Sequence, residues 1–357
     1  MSDYRKTILY DSHKTLKAKL VPFSGFWMPL QYSSIVKEHH HIRQKCGIFD
    51  VSHMGEFIVS GQNAEKFLQM VTTNDVAVLK PGKVQYSAFC NDLGGVIDDL
   101  LVYHLGDYYM LVVNASNIDK NFKWLSSQLI DGVSLENHSG SISLIAMQGP
   151  LSRKFLKNLY PQIDSLKYYE TLIPDKNNVV IARTGYSGEL GFEIYAPNSK
   201  ILELWNEILS LSEHILPVGL GCRDSLRLEM GYCLYGNELN EKINTVEAGL
   251  SWITKHETNF IGSKAIEENP PTKKLIALIT DERAIPRSGY KVYSLDKKEV
   301  GIITSGGMSP CLKKGIALAF IDFDFRKEEE FLIGIRDNFF IFNKTKLPFY
   351  KDGSYLK

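Results

Sequence analysis

The sequence predicts an α+β body, residues 1–266, followed by a compact all-β domain, residues 275–357. Three observations carry that prediction. Between the two parts lies "EENPPTKK" (267–274), where two prolines flanked by charge can continue neither a helix nor a central strand. Ahead of it, apolar residues recur with helical spacing in some stretches and strand character in others. Behind it, six short apolar runs follow one another with only turns between, which indicates a small barrel or sandwich.

Taken in order, "SSIVKEHHHIRQKC" (33–46) reads as a helix. "GEFIVSG" (55–61), "KVQYSAFC" (83–90), "VIDDLLVYHL" (96–105) and "YYMLVVN" (108–114) read as strands from their β-branched and aromatic content. "NIDKNFKWLSSQL" (117–129) places Ile118, Phe122, Leu125 and Leu129 at steps of four, three and four, one face of an amphipathic helix. "SLIAMQG" (143–149) is a strand. "GPLSRKFLKNLYP" (149–161) carries Pro150 where a first helical turn tolerates it and Pro161 where the helix must stop. "VVIARTG" (179–185) and "FEIYA" (192–196) are strands, and "KILELWNEILSLS" (200–212) is a further helix. The β domain reads "KLIALIT", "GYKVYSL", "VGIITSG", "IALAFIDF", "EFLIGIR" and "FFIFNK". No internal repeat is visible.

Composition narrows the class of function. Lys+Arg and Asp+Glu are both 41, so no global basic field exists to hold nucleic acid. A hydrophobic fraction of 44% with 23% charged residues suits a globular protein with real cores. The five cysteines are scattered without a Cys-x-x-Cys pair and read as ordinary thiols in a reducing compartment. The N-terminus shows no export or transit pattern, and no run of about 18 apolar residues occurs, so the expectation is a cytoplasmic protein with no membrane span.

Four stretches contain residues out of keeping with their surroundings. In "NDLGGVIDDLLVY" (91–103), Asp98 and Asp99 interrupt an apolar strand, and a carboxylate in an apolar setting costs several kcal/mol unless paired, hydrogen-bonded or protonated. Strand alternation puts Ile97, Asp99, Leu101 and Tyr103 on one face and Val96, Asp98, Leu100 and Val102 on the other, which excludes a proton-sharing dyad. Either acid could simply cap the "LGG" turn, but both faces are otherwise apolar, so at least one acid is expected in a dry pocket. In "TGYSGELGFEIYAP" (184–197), Gly185, Gly188 and Gly191 form a turn and not a phosphate loop, since no Lys-Ser/Thr and no helix follow. That reading leaves Glu193 unexplained inside an apolar strand.

In "GLGCRDSLRLEMGYCLYGNEL" (219–239), no dinucleotide fingerprint is complete. Arg223, Asp224, Arg227 and Glu229 suit a salt-bridged helix face, or alternatively an arginine that grips an anionic ligand group. The run His39-His40-His41, near His53, suggests metal. Consecutive helical residues point about 100° apart, however, so a solvated face with one half-buried ring and no metal is expected. Together, a few carboxylates and an arginine among Tyr, Trp and Met suit a flat heteroaromatic ring with several N–H donors, such as a pterin or a guanine.

The motifs "FSGFWMPLQY", "CGIFDVSHMGEF", "GGVIDDLLVY", "LVVNASN", "AMQGP", "RTGYSGELGFEIY", "GLGCRDSLRLEMGYCLYGNEL", "EAGLSW", "FIGSKAI" and "GIITSGGMSPCLKKGIALAFI" occur in that order. Together they resemble the T-protein (aminomethyltransferase) family of the glycine cleavage system over nearly the whole chain. The resemblance implies a multi-domain folate-binding α+β fold with a C-terminal antiparallel β-barrel. It also implies transfer of a methylene carbon from the aminomethyl-dihydrolipoyl arm of the H-protein to tetrahydrofolate, with release of ammonia and formation of 5,10-methylenetetrahydrofolate. By the same resemblance Asp99 is the catalytic aspartate, Glu193 contacts the pterin and Arg223 binds substrate. Met54, Tyr86, Asn114, Tyr186, Tyr232 and Trp252 fall on ligand contacts, and Tyr350 of "LPFYK" closes the site. A fixed carboxylate beside the folate nitrogens would orient them, accept or relay a proton and stabilise a passing cation. Asp98 is expected to be structural.

The chain departs from the family pattern at "GFWMP", which shifts the indole by one position beside Phe26. It also has Cys222 and Met230 in place of alanine, Asn240 in place of aspartate, and no proline in "NTVEAGL". Two other readings share the scaffold: a folate-dependent demethylase that needs no H-protein, and a binding-only relative. The latter carries a "KGCYxGQE"-type signature absent here.

Overall fold

The structure, a computed structural model, describes residues 4–174 and 178–356. The body rests on two sheets laid face to face. One is antiparallel throughout, in the order Lys83–Cys90, Val96–His104, Tyr108–Val113, Gly55–Ser60, Ser134–Asn137. The other runs Thr171–Leu172, Val180–Ala182, Gly191–Pro197, Ile142–Gln148, Cys46–Asp50, Ile215–Pro217, with only the last pair parallel. Phe49, Val51 and Tyr195 of one sheet share a buried core with Tyr103, Met110 and Val112 of the other.

The outer faces are covered by helices, because each presents an apolar stripe. Ala64–Val71 and Ile118–Ser127 set Phe67, Leu68 and Leu125 on Phe57, Leu100 and Val102. Asn198–Ser210 sets Leu204, Trp205 and Ile208 on Ile145, Met147 and Ile194. The result is four layers, helix on sheet on sheet on helix. A small third sheet, Arg5–Lys6, Phe26–Gln31 and Lys19–Phe23, lies at the N-terminus.

The predicted alternation along residues 96–103 needs one correction. The register shifts at Phe89/Cys90, which pairs Cys90 with Val96 but Phe89 with Asp98. Ile97 is therefore an extra residue, and it packs into the helix-side core with Leu100 and Val102. From Asp98 onward the alternation holds. The helix predicted over 149–161 is also shorter, Ser152–Leu156, and Pro161 begins a 3-10 turn, Pro161–Ser165.

Behind the prolines, six antiparallel strands close into a barrel, in the order Lys273–Thr280, Gly315–Asp322, Glu299–Met308, Lys291–Tyr293, Glu330–Ile335, Asn338–Thr345. Of barrel and sandwich, the chain forms the barrel, filled by Leu278, Val292, Phe331, Ile333 and Phe342. Leu228, on the helix Leu220–Met230, packs against Leu318 and Phe349 and so seats the barrel on the body. Among the described residues no helix is long and apolar enough to cross a membrane.

Candidate active site

Asp98 and Asp99 sit on a central strand and are held by different layers. Asp98 is fully buried on the helix side, where Asn114, Asn117 and Asn121 converge on it with side-chain amides at 2.8, 2.7 and 2.5 Å, and Asn114 N–H donates at 3.1 Å. The convergence follows from the register: the next strand ends at Val113, opposite Leu100, so Asn114 arrives level with the acids. Neither acid caps the "LGG" turn, whose N–H groups at Leu93 and Gly95 are taken by Asn91 Oδ1.

Asp99 faces the other way and keeps partial access to solvent. Tyr86 Oη donates to its Oδ2 at 2.9 Å and Asn114 Nδ2 to its Oδ1 at 2.8 Å. Asn114 thus bridges the two carboxylates. Burial raises the pKa of both, and the adjacent Asp99 carboxylate raises Asp98 further, while the amide and hydroxyl donors pull back.

Aromatic rings surround Asp99. Tyr86 stacks on Trp252 with centroids 5.9 Å apart, and Trp252 is 59% exposed at the rim. Tyr186 stacks on Tyr232 at 5.6 Å and donates its hydroxyl to the Cys233 carbonyl. Arg223 lies over the Tyr186 ring, 4.8 Å from its centroid. Burial raises the Tyr186 pKa, while Arg227 and Arg223 lower it and Asp99 raises it further. Glu193 is buried, with Oε2 accepting from Thr184 Oγ1 at 2.7 Å. Its charge is felt by Tyr103, Tyr169 and Tyr195. Met54, like Leu101 and Tyr169, is partly buried against the core between the sheets.

Tyr350 has its ring on Arg43, 4.2 Å from the centroid, beside Cys311 and Lys346 in a surface cavity of about 550 Å³. Sequence reasoning and structure part company at two places. The salt-bridged helix face takes a different form. Arg227 pairs with Asp224 at 2.8 Å and with Glu238 at 3.3 Å, but Glu229 pairs across to Arg43 at 2.8 Å and Arg223 stays outside the network. The histidine run is not a solvated face. His39 is fully buried and His40 and His41 partly so, because their helix, Ile35–Gln44, packs against Leu220–Met230.

Among the described residues, only His39, Glu229 and Cys311 bring ligand atoms close enough together to hold an ion. Glu229 is already saturated: Oε2 accepts from Arg43 at 3.2 and 2.8 Å and meets His39 at 3.0 Å, while Oε1 accepts from Ser309 at 2.5 Å and Cys311 N–H at 3.0 Å. A cation there would abut the guanidinium, so charge argues against metal. Sequence reasoning missed Arg43, Thr184, Glu189 and Glu238. Of these only Glu189, inside the apolar "SGELGF", carried a local signal.

The chain matches the model of the GCVT N-terminal domain over residues 9–258 and that of the glycine cleavage T-protein C-terminal barrel domain over residues 273–351. It is 43% identical to the aminomethyltransferase of Halothermothrix orenii, covering 97% of this chain and 99% of that protein. It is 45% identical to the aminomethyltransferase of Chloroherpeton thalassium, covering 96% and 98%. The crystal structure of glycine cleavage system aminomethyltransferase T from Bartonella henselae resembles it with a TM-score of 0.94 at 31% identity, covering 99% of this chain and all of that one.

Proposed function

Since this chain belongs to the glycine cleavage T-protein family and is an aminomethyltransferase of that system, we propose that the group around Asp99 is where tetrahydrofolate takes up the transferred carbon. The donor in this reading is the aminomethyl group on the dihydrolipoyl arm of the H-protein. Tetrahydrofolate supplies two nitrogens that bond one carbon, while ammonia leaves and the dihydrolipoyl sulfur is released.

The residues present fit that acceptor. Each oxygen of Asp99 already takes one hydrogen bond and keeps a lone pair. Asp99 can therefore orient a folate nitrogen, accept or relay its proton, and balance the positive charge that develops as ammonia departs. Burial raises its pKa and makes it a stronger base than a surface aspartate. Tyr86 and Asn114 hold that carboxylate in one orientation. Glu193 offers Oε1, which has no partner among the described residues, to the N–H groups of a pterin edge. Tyr86, Trp252, Tyr186 and Tyr232 provide flat faces for ring and linker, Met54 an apolar wall, and Arg223 a cation for an acidic tail. In this reading Tyr350, whose ring lies on Arg43, closes the site. The chain's place is the cytoplasm, in keeping with its unpaired thiols.

The observation that carries this reading is one partly exposed carboxylate, fixed at both oxygens, beside an exposed indole. The test is ammonia release by the purified chain. Ammonia is expected only when aminomethylated H-protein and tetrahydrofolate are both present. Turnover with a methylated amine in place of H-protein would instead make it a demethylase, and folate binding without turnover a binding protein.

A further inference from the structure

Glu193 is the acid for which the sequence offers no local reason, and its surroundings supply one. It lies on Gly191–Pro197 opposite Ala146 and Ala182, whose small side chains leave room in front of the carboxyl group. Hydroxyls gather near it in the core between the sheets. Tyr195 and Tyr103 meet Oη to Oη at 2.7 Å, and the charge of Glu193 bears on both phenols. Thr184 donates to Glu193 Oε2 at 2.7 Å, and its single hydroxyl proton is committed to that carboxylate. Tyr103 also lies on the strand of Asp99, on the same face and four residues further along.

We propose that Thr184 is a positioning residue that fixes Glu193 relative to Asp99 and so sets the affinity for the reduced pterin. The proposal rests on the reading of Glu193 as the pterin-contacting carboxylate. A free glutamate gives up rotamer freedom when a ligand fixes it, and a clamp removes that cost beforehand. A merely space-filling role for Thr184 needs no hydroxyl, since replacing both partners of a buried bond by apolar groups is nearly neutral.

The test uses Thr184→Val, Thr184→Ser and Glu193→Gln in the full chain, with KM measured for each substrate. Thr184→Val is expected to raise KM for tetrahydrofolate about tenfold, the equivalent of 1.4 kcal/mol, and to leave KM for aminomethylated H-protein unchanged. Thr184→Ser restores the folate KM to within about threefold. Adding Thr184→Val to Glu193→Gln produces no further loss, because the clamp then has nothing left to hold. A wild-type folate KM in Thr184→Val, with Glu193→Gln impaired, overturns the proposal alone. A Glu193→Gln enzyme indistinguishable from wild type overturns the reading beneath it. Should Thr184→Val not fold, Thr184→Ala takes its place, and a wild-type folate KM in that variant overturns the proposal.

Discussion

At the scale of single residues, Asp98 and Asp99 show how adjacent identical side chains come to do different work. Asp98 is enclosed by four donors that all point at it, so an amide in its place turns an N–H group against one of them. Asp98→Asn is expected to lose roughly 1–3 kcal/mol in urea unfolding while turnover stays within a few-fold. Asp99→Asn keeps the shape and removes the charge that, in the proposed reading, faces the reacting nitrogens. Its ammonia release should fall by about 10²-fold or more while equilibrium folate binding changes little. Wild-type turnover in Asp99→Asn would remove Asp99 from the chemistry. That the two acids face opposite ways was legible from strand alternation. Their enclosure was not, because it depends on three asparagines reaching back from the end of the next strand and the helix after it.

Elements were legible where periodicity ran long and illegible where burial was complete. Cys46–Asp50 is buried at every position, so it shows no alternation to read, although it is the neighbour of Ile142–Gln148 in the second sheet. The extra residue at Ile97 leaves no trace in composition. The turn 184–191 was read correctly from its glycines, but their reason lies in another element. Gln148, at the end of Ile142–Gln148, threads between Gly185 and Gly191, and a Cβ at either would overlap its amide. That amide donates to Thr184 O at 3.2 Å and accepts from Ser187 Oγ at 2.6 Å, so it shapes the loop beside Thr184. Gly191→Ala is therefore expected to cost about 1–3 kcal/mol. Combining it with Gln148→Ala should cost less than the sum of the two, since the second change vacates the space the first requires. Additive losses in denaturant unfolding would mean that Gln148 is not what the glycine accommodates.

Across the whole molecule, body and barrel meet at Glu229. Its Oε2 is fixed by Arg43 and His39 of the body, its Oε1 by Ser309 and Cys311 N–H of the loop between two barrel strands, and its backbone carbonyl accepts Tyr350 N–H at 3.0 Å. No local pattern announces such a joint, since His39 and Ser309 lie far from residue 229 in sequence. Burial opposes the charge, but His39, Arg43 and Ser309 outweigh it and hold the Glu229 pKa at about 2, below its ordinary 4.5. A depressed carboxylate contributes stability that is fully present above its unfolded pKa and is lost as pH falls toward its folded pKa. The contribution is on the order of 3 kcal/mol at neutral pH and declines between about 4.5 and 2. Glu229→Gln cannot titrate, so its deficit against wild type should be largest at pH 7 and shrink steadily below about 4.5. Chemical denaturation of both proteins across that range measures the difference. A deficit that stays constant with pH would show that Glu229 holds the barrel through shape alone and not through its charge.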